Sequence, residues 1–180
     1  MKINKTSIKD LLIIEPALFK DHRGFFYESY NKDNLDKIIN ITFVQDNESK
    51  SKKGVIRGLH FQSPPFEQTK LVRCISGKIM DVAVDLRLDS ITYGKSFSIE
   101  LSSENNKQLF IPKGFAHGFQ VLSHTAIVNY KVDNFYNPKH DSGIIWNDQH
   151  LSIEWNLDLK PILSIKDSKL NSFNDLKSPF

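Results

Sequence analysis

The chain has one cysteine in 180 residues, no apolar run long enough to cross a membrane, and no excess of either charge. A single thiol cannot form an intrachain disulfide, a thiolate metal cage or a Cys-x-x-Cys redox pair. Near the N-terminus the only apolar run covers residues 11–14, which is too short for the core of a signal peptide. These absences predict a cytoplasmic protein that does not associate with membranes.

The balance of charge argues against a polyanionic partner. Lysine and arginine number 24, aspartate and glutamate number 21, and the formal net charge is +3. The two signs are spread along the chain and form no basic block of the kind that nonspecific polyanion binders carry. We therefore do not expect nucleic acid as a partner.

Short strands account for most of the chain. Eight glycines separate segments that are rich in β-branched and aromatic residues, including many of the 13 phenylalanines. Within 78–86, four apolar residues alternate with Asp81, Ala83 and Asp85, which predicts a strand with one buried face. The predicted strands are 42–45, 55–61, 71–76, 78–86, 95–101, 108–111, 117–122 and 125–132.

One short helix is predicted at 32–39, with Asn31 as its N-cap and three apolar residues at helical spacing. No other segment has helical periodicity over three turns, which argues against a crossover fold with a parallel sheet. The sequence contains no repeat, no linker and no glycine-rich dinucleotide turn. We expect one all-β domain over residues 1–180, a jelly-roll β-sandwich or barrel with one or a few short helices.

Residues 45–73 concentrate side chains that can perform chemistry. Arg57, His60 and Lys70 lie there among apolar strand residues. Such groups are costly to bury unless they are paired or face a wet cavity. Taken alone, His60 is more simply explained as a structural histidine, and its neighbours are what favour a functional site.

A second such segment covers residues 111–120. His117 stands between two small residues, an arrangement that leaves room for a ligand or another backbone. A histidine that stabilises a turn would explain the same pattern equally well. Tyr130 lies on an otherwise apolar face of its strand, where structural tyrosines are common, so by itself this residue indicates little about function.

A metal centre is not predicted. Metal-binding proteins of this fold carry His-x-His followed by Glu on the strand that here contains His60 and Gln62. The remaining imidazoles, His60 and His117, fall short of the three protein ligands that a catalytic metal usually has. A cavity with a histidine, a tyrosine and cations suits proton transfer beside a ketone, with His60 as base, Lys70 as enolate stabiliser and Tyr130 as acid.

Seven strings in the same order resemble one family over nearly the whole chain: the dTDP-4-dehydrorhamnose 3,5-epimerase family of metal-free cupin nucleotide-sugar epimerases. The strings are DHRGFFYES at 21–29, VIRGLHFQSPP at 55–65, QTKLVR at 68–73, SGKIMDVAVDLR at 76–87, IPKGFAHGF at 111–119, YKVDNFYNP at 130–138 and LSIKD at 163–167. The resemblance implies a cupin jelly roll that needs neither cofactor nor metal.

The resemblance also implies roles for individual residues. It makes His60 the general base, Asp167 the carboxylate that orients it, Tyr130 the general acid and Lys70 the cation beside the enolate. Glu28 and the segment 23–26 would reach the active site of a partner subunit, so we expect a homodimer that exchanges N-terminal segments within about residues 1–50. The implied substrate contacts are Arg23, Phe26, Glu28, Gln45, Asn47, Arg57, His117, Tyr136, Asp141 and Lys166, with Asp141 standing where many relatives carry glutamate.

The implied activity is inversion of C3, C5 or both in a nucleotide-diphosphate 4-keto sugar, for a surface polysaccharide such as a capsule. A dTDP-linked 6-deoxyhexose is the commonest substrate in such a family. A GDP-linked 4-keto sugar, including a heptose, and inversion at C3 alone remain open. A carbohydrate-binding jelly roll without turnover is the alternative outside the enzymes.

One feature of the expected site conflicts with a regular strand. Arg57 and His60 are three residues apart, so their side chains would point to opposite faces. Both can reach one pocket only if the strand is bulged or twisted. We therefore predict an irregularity near Gly58.

Overall fold

A computed structural model describes residues 1–37 and 39–180. Its described elements are strands, one α-helix and one turn of 3-10 helix at Asp167–Lys169. Neither helix in these two ranges has the length and apolar character that a membrane crossing requires. The elements are β1 (Lys2–Lys5), β2 (Leu12–Glu15), β3 (Phe19–Asp21), β4 (Gly24–Phe26), α1 (Lys32–Asp36), β5 (Gln45–Lys52), β6 (Ile56–Gln62), β7 (Lys70–Ser76), β8 (Lys78–Asp85), β9 (Ser96–Ser102), β10 (Gln108–Ile111), β11 (Phe115–Val121), β12 (Thr125–Val132) and β13 (Asp141–Gly143).

Two antiparallel sheets form a sandwich. The six-stranded sheet has the order β1-β2-β10-β7-β12-β5, and the five-stranded sheet has the order β13-β6-β11-β8-β9. Strands β3 and β4 form a separate hairpin. This architecture confirms the predicted all-β jelly-roll class with a short helix.

Apolar side chains from both sheets pack against one another between them. Val72, Leu109 and Val128 of the six-stranded sheet pack with Ile79 and Leu101 of the five-stranded sheet. Burial of such side chains is the main favourable contribution to folding. The core fixes the two sheets face to face.

The outer face of the five-stranded sheet is also buried. Val82 and Val84 of β8 pack there against Ile144, Leu151 and Trp155 from the segment that follows β13. The prediction of a strand with one buried face is therefore wrong for β8. Its apolar face is covered by the C-terminal segment, while its other face, which carries Asp81, points between the sheets.

Helix α1 and its neighbours cover the outer face of the six-stranded sheet. Leu35 of the helix packs with Ile14, Leu71 and Phe110 from three of its strands. The Asn31 side chain accepts a hydrogen bond from the Asn34 N–H at 3.2 Å, as the predicted N-cap requires. The helix ends at Asp36, so it is shorter than predicted, and Ile38 of the predicted span lies outside the described residues.

Most predicted strand positions are confirmed to within two residues at each end, but the N-terminal part is not. The predicted strand 42–45 is wrong, because the strand begins at Gln45 and continues to Lys52. That segment has no β-branched or large apolar residue, and it becomes a strand through pairing with β12. Strands β1 to β4 and β13 are short and are not among the predicted strands.

The predicted irregularity near Gly58 is confirmed. His117 pairs with His60 and Phe119 pairs with Arg57, so the register between β11 and β6 shifts by one residue in between. A Cβ on Gly118 would lie 2.6 Å from the Arg57 carbonyl oxygen, and one on Gly58 would lie 2.6 Å from the His117 carbonyl oxygen. The two backbones can approach this closely only because both positions are glycine.

We expect Gly118→Ala to lower the free energy of unfolding by about 1–3 kcal/mol, because the new methyl group must push β6 away from β11. Urea denaturation measures the change. Ser98→Ala, at an exposed position of β9, is the matched control and should stay within about 0.5 kcal/mol of the parent. Equal stability of the two variants would contradict the close approach.

Candidate active site

A cavity of about 660 Å³ lies between the two sheets, beside the β6–β11 irregularity. The sheets and the C-terminal segment each contribute side chains to its wall. Of the fourteen residues predicted for the site, those that line the cavity are Asn47, Arg57, His60, Lys70, His117, Tyr130, Tyr136, Asp141, Lys166 and Asp167.

His60 and Asp167 form a pair across 107 residues of sequence. His60 Nε2 lies 2.7 Å from Asp167 Oδ1. The His60 side chain is about a third exposed to the cavity, whereas Asp167 is buried. An imidazole that donates its Nε2–H to a carboxylate keeps a lone pair on Nδ1, so His60 can accept a proton there.

Several groups hold Asp167 in its charged form. Burial alone would raise the pKa of Asp167, but the hydrogen bond and charge of His60, the Gly58 N–H and the Ser164 contact together lower it below its usual value. The backbone N–H of Asp167 donates to Ser164 Oγ at 3.0 Å, which fixes the start of the 3-10 helix. The carboxylate is therefore ionised at neutral pH and can stabilise an imidazolium.

Lys70 is a buried cation that faces the cavity from β7. It is 9% exposed, and its Nζ donates no hydrogen bond to any residue in the ranges 1–37 and 39–180. Burial lowers the pKa of Lys70 to about 8, and the charges of Asp81 and Asp141 oppose that shift. Its N–H donors remain available for an anionic oxygen in the cavity.

Tyr130 lies on β12, in the sheet opposite His60. The Lys70 ammonium is 5.9 Å from the centre of its ring, and the His117 ring centre is 6.5 Å away. Burial raises the pKa of Tyr130 above its usual value, so the phenol stays protonated at neutral pH. The cavity thus has a proton acceptor on one sheet and a proton donor on the other.

A second histidine–aspartate pair lies deeper in the fold. His117 Nε2 is 2.8 Å from Asp81 Oδ1, and both side chains are buried. Burial lowers the pKa of His117, the charge and hydrogen bond of Asp81 raise it, and the nearby cations lower it, with a net decrease. His117 is therefore a neutral imidazole that donates through Nε2.

Polar groups also surround the mouth of the cavity. Asp141 Oδ2 accepts hydrogen bonds from the Tyr136 hydroxyl, at 2.8 Å, and from Lys166 Nζ. The Arg57 side chain donates to Ser51 Oγ at 3.0 Å. Two cations are thus presented near the entrance, where a diphosphate could contact them.

Four predicted site residues do not line this cavity. Gln45 lies just outside, with Nε2 donating to Asn47 Oδ1 at 2.8 Å. Arg23 pairs with Asp21 on the exposed β3–β4 hairpin, and Phe26 on the same hairpin is 67% exposed. Glu28 accepts hydrogen bonds from Asn31 and Asn34 beside a separate, smaller cavity.

Sequence reasoning missed two residues that organise the site. The pattern places Asp81 on the less apolar face of β8, and only the topology reveals that this face points inward. Ser164 binds the backbone of Asp167, and the sequence carries no signal for it beyond the neighbouring aspartate. In the part of the chain that the structure describes, no group of three or more His, Cys, Asp or Glu side chains is placed to hold a metal ion.

Comparison with known proteins agrees with this geometry. The family model described as dTDP-4-dehydrorhamnose 3,5-epimerase matches residues 5–175. The dTDP-4-dehydrorhamnose 3,5-epimerase of Escherichia coli K12 is 49% identical over 178 residues, which cover 98% of this chain and 96% of that protein.

Solved structures are similarly close. A dTDP-4-dehydrorhamnose 3,5-epimerase from Bacillus anthracis, with TDP and pyrophosphate bound, has a TM-score of 0.92 and 50% identity, covering 95% of this chain and 98% of that one. A dTDP-6-deoxy-D-glucose 3,5-epimerase from Legionella pneumophila, in complex with dTDP-4-keto-L-rhamnose, has a TM-score of 0.94 and 46% identity, covering 97% and 94%. With the fold, the cavity and near full-length identity in agreement, the chain belongs to the dTDP-4-dehydrorhamnose 3,5-epimerase family.

Proposed function

We propose that the protein inverts C3 and C5 of dTDP-4-dehydro-6-deoxyglucose on the route to dTDP-L-rhamnose. The observation that carries this proposal is the position of His60 and Tyr130 on opposite sheets of one cavity. A base and an acid on opposite faces of a bound sugar ring are what inversion of a carbon centre needs. The complexes of two relatives with TDP or with a dTDP-4-keto sugar support the choice of nucleotide.

His60 starts the reaction by taking the proton from the carbon next to the C4 ketone. The electron pair of the C–H bond moves to form a carbon–carbon double bond, and the C4 oxygen becomes an enolate. The proton passes to Nδ1 of His60, because Nε2 is held by Asp167. The imidazolium that results lies against the Asp167 carboxylate, which stabilises it.

Lys70 stabilises the enolate, and Tyr130 completes the inversion. The Lys70 ammonium is itself buried and offers N–H donors to the C4 oxygen, and such donors stabilise a developing charge more strongly there than in water. The Tyr130 hydroxyl then gives its proton to the carbon from the opposite face. His60 and the tyrosinate return to their starting states through exchange with solvent, so the same residues can act at the second carbon.

The diphosphate is held at the cavity mouth by Arg57 and Lys166. Both residues are exposed there, and phosphate oxygens are good partners for a guanidinium or an ammonium group. Asp141 holds Lys166 before substrate arrives. His117, Asn47 and Tyr136 then contact the sugar and the base.

The site is completed by a second copy of the chain, in a homodimer. The β3–β4 hairpin carries Phe19, Phe25 and Phe26, each more than half exposed, and clusters of exposed aromatic side chains favour a protein contact. Within the N-terminal segment of about residues 1–50, this hairpin brings Arg23 of one copy to the cavity of the other, and Glu28, which follows the hairpin, comes with it. The rest of the 1–180 domain forms the cavity itself.

The product feeds the synthesis of a surface polysaccharide such as a capsule. The buried, unpaired Cys74 fits a reducing compartment, and we place the enzyme in the cytoplasm, where nucleotide sugars are made.

Deuterium wash-in tests the activity and the substrate. In D2O with dTDP-4-dehydro-6-deoxyglucose, we expect NMR to show deuterium at both C3 and C5, because each carbon is reprotonated from groups that exchange with solvent. The same reaction with a GDP-linked 4-keto hexose or heptose should be much slower. Label at C3 alone would show that the protein inverts only that carbon. No label with any 4-keto sugar would refute the proposed epimerase activity and favour a carbohydrate-binding protein.

His60→Asn should abolish wash-in, by at least about three orders of magnitude, because an amide cannot accept the proton. Binding of dTDP, measured by calorimetry, should be nearly unchanged. His150→Asn, at an exposed histidine outside the cavity, is the matched control and should exchange at the parental rate. Near-normal exchange in His60→Asn would rule out His60 as the base.

The rate should fall as the pH rises through about 8. The pKa of Lys70 is lowered to about 8, so the enolate-stabilising charge is present below that pH and is lost above it, by about tenfold per pH unit. Tyr130 cannot cause this fall, because its pKa is raised. Because the arginine of Lys70→Arg keeps its positive charge, the fall of the rate in this variant should occur at a higher pH. A parental rate that stays constant until tyrosine ionises would exclude this role of Lys70.

Mixing two inactive variants tests the exchange between subunits. Arg23→Ala and His60→Asn should each be inactive as homodimers. After unfolding and refolding together, half of the dimers are mixed, and each mixed dimer has one site with both native residues, so about a quarter of the parental activity should return. No recovery, with mixed dimers demonstrated by mass spectrometry, would show that Arg23 acts within its own subunit.

A further inference from the structure

Asp81 is a carboxylate in an unusual place. It lies in the middle of β8, is completely buried, and points into the space between the two sheets. Its neighbours on the same face, Ile79 and Ala83, belong to the apolar core. A charged group in such a position is costly unless its surroundings compensate for it, so its partners identify its role.

The hydrogen bonding of Asp81 is incomplete. Oδ1 accepts the Nε2–H of His117 at 2.8 Å. Oδ2 is buried and has no hydrogen-bond partner among the described residues. Since His117 is neutral, this contact does not cancel the charge, and the field of the carboxylate extends to the other groups around it.

Two of those groups, Lys70 and Cys74, lie on β7. Lys70 and the Asp81–His117 pair lie in one cluster, because Lys70 Nζ is 5.9 Å and the His117 ring centre 6.5 Å from the centre of the Tyr130 ring. The negative charge of Asp81 raises the pKa of Lys70 more than that of any other carboxylate does, with Asp141 second. Burial raises the pKa of the Cys74 thiol on the same strand to about 11, and the charge of Asp81 adds to that increase. The titratable groups that line the cavity together with Lys70 are Glu48, Arg57, His60, His117, Tyr130, Tyr136, Asp141, Lys166 and Asp167.

We propose that Asp81 is a positioning residue that acts through two others: it fixes the His117 ring with Nε2–H turned away from the substrate, and it supplies the buried negative charge that keeps Lys70 an ammonium ion in the cavity. This role rests on the proposed epimerase reaction, in which Lys70 needs its charge to stabilise the enolate. Asp81 touches no substrate and takes no proton.

Removing the charge without changing the size separates this role from packing. In Asp81→Asn the new side chain matches aspartate in shape, and its amide oxygen can still accept the His117 hydrogen bond, so the variant should fold. The Lys70 ammonium, however, would lose its main compensation for burial. Glu100→Gln, on β9 and paired in register next to β8, also removes one negative charge but from an exposed position, and is the matched control.

The direct test is the titration of Lys70, followed by NMR through its 13C-labelled Cε and assigned by the signal lost in Lys70→Arg. In the parent we expect a midpoint at about 8. In Asp81→Asn it should fall by at least about one pH unit, which is a tenfold change in the ionisation equilibrium. In Glu100→Gln it should stay at the parental value. An unchanged midpoint in Asp81→Asn would overturn the proposal.

The second readout is the pH profile of deuterium wash-in with the dTDP-linked substrate. In Asp81→Asn the fall of the rate at alkaline pH should shift to lower pH by the same interval as the Lys70 midpoint. Urea denaturation should show that the variant is folded over this pH range. A shifted midpoint with an unshifted limb would overturn the catalytic part of the proposal. If the parent shows no wash-in, the epimerase function fails, while the Lys70 titration still decides whether Asp81 holds that charge.

Discussion

The close approach of β6 and β11 at Gly58 and Gly118 is the constraint on which the site depends. Neither position leaves space for a Cβ, and the register shifts by one residue between His117 and Phe119. A regular strand would send Arg57 and His60 to opposite faces. With the shift, both reach the same cavity. The backbone path of β6 and β11 therefore determines where the Arg57 and His60 side chains point. The hydrogen bond between His60 and Asp167 depends on that path.

The interior of this sandwich is apolar at one end and charged at the other. Lys70, His117 and Asp81 occupy core positions that a purely structural jelly roll would fill with valine or leucine. Burying them costs free energy, and part of that cost is offset because Asp81 accepts a hydrogen bond from His117 and its charge favours the Lys70 ammonium. The carboxylates offset the cost of burying the Lys70 ammonium only in part, because the pKa of Lys70 stays below its usual value. A charge that is incompletely compensated in the free protein is able to respond strongly to an enolate.

The sequence predicts the strands well where apolar and polar residues alternate, and it fails where other forces decide. Strand β5 is polar throughout and exists because β12 pairs with it. Strand β8 forms where the alternation predicts it, but both of its faces are buried: the C-terminal segment covers the apolar face, and the face that looks more polar points between the sheets. The catalytic candidates were accessible through a family resemblance and the chemistry of their side chains. Asp81 was not, because its importance comes from packing between sheets.

The covering of the five-stranded sheet by the segment after β13 has a consequence for when the protein becomes competent. That segment brings Asp167 to His60 from 107 residues away, and it lies over Val82 and Val84 through its own apolar side chains. Every strand of both sheets precedes Asp167 in the chain, so the carboxylate that orients the base is made after all of them. Pairing of the strands alone therefore does not make the site competent, because His60 is oriented only once the C-terminal segment has packed on the five-stranded sheet.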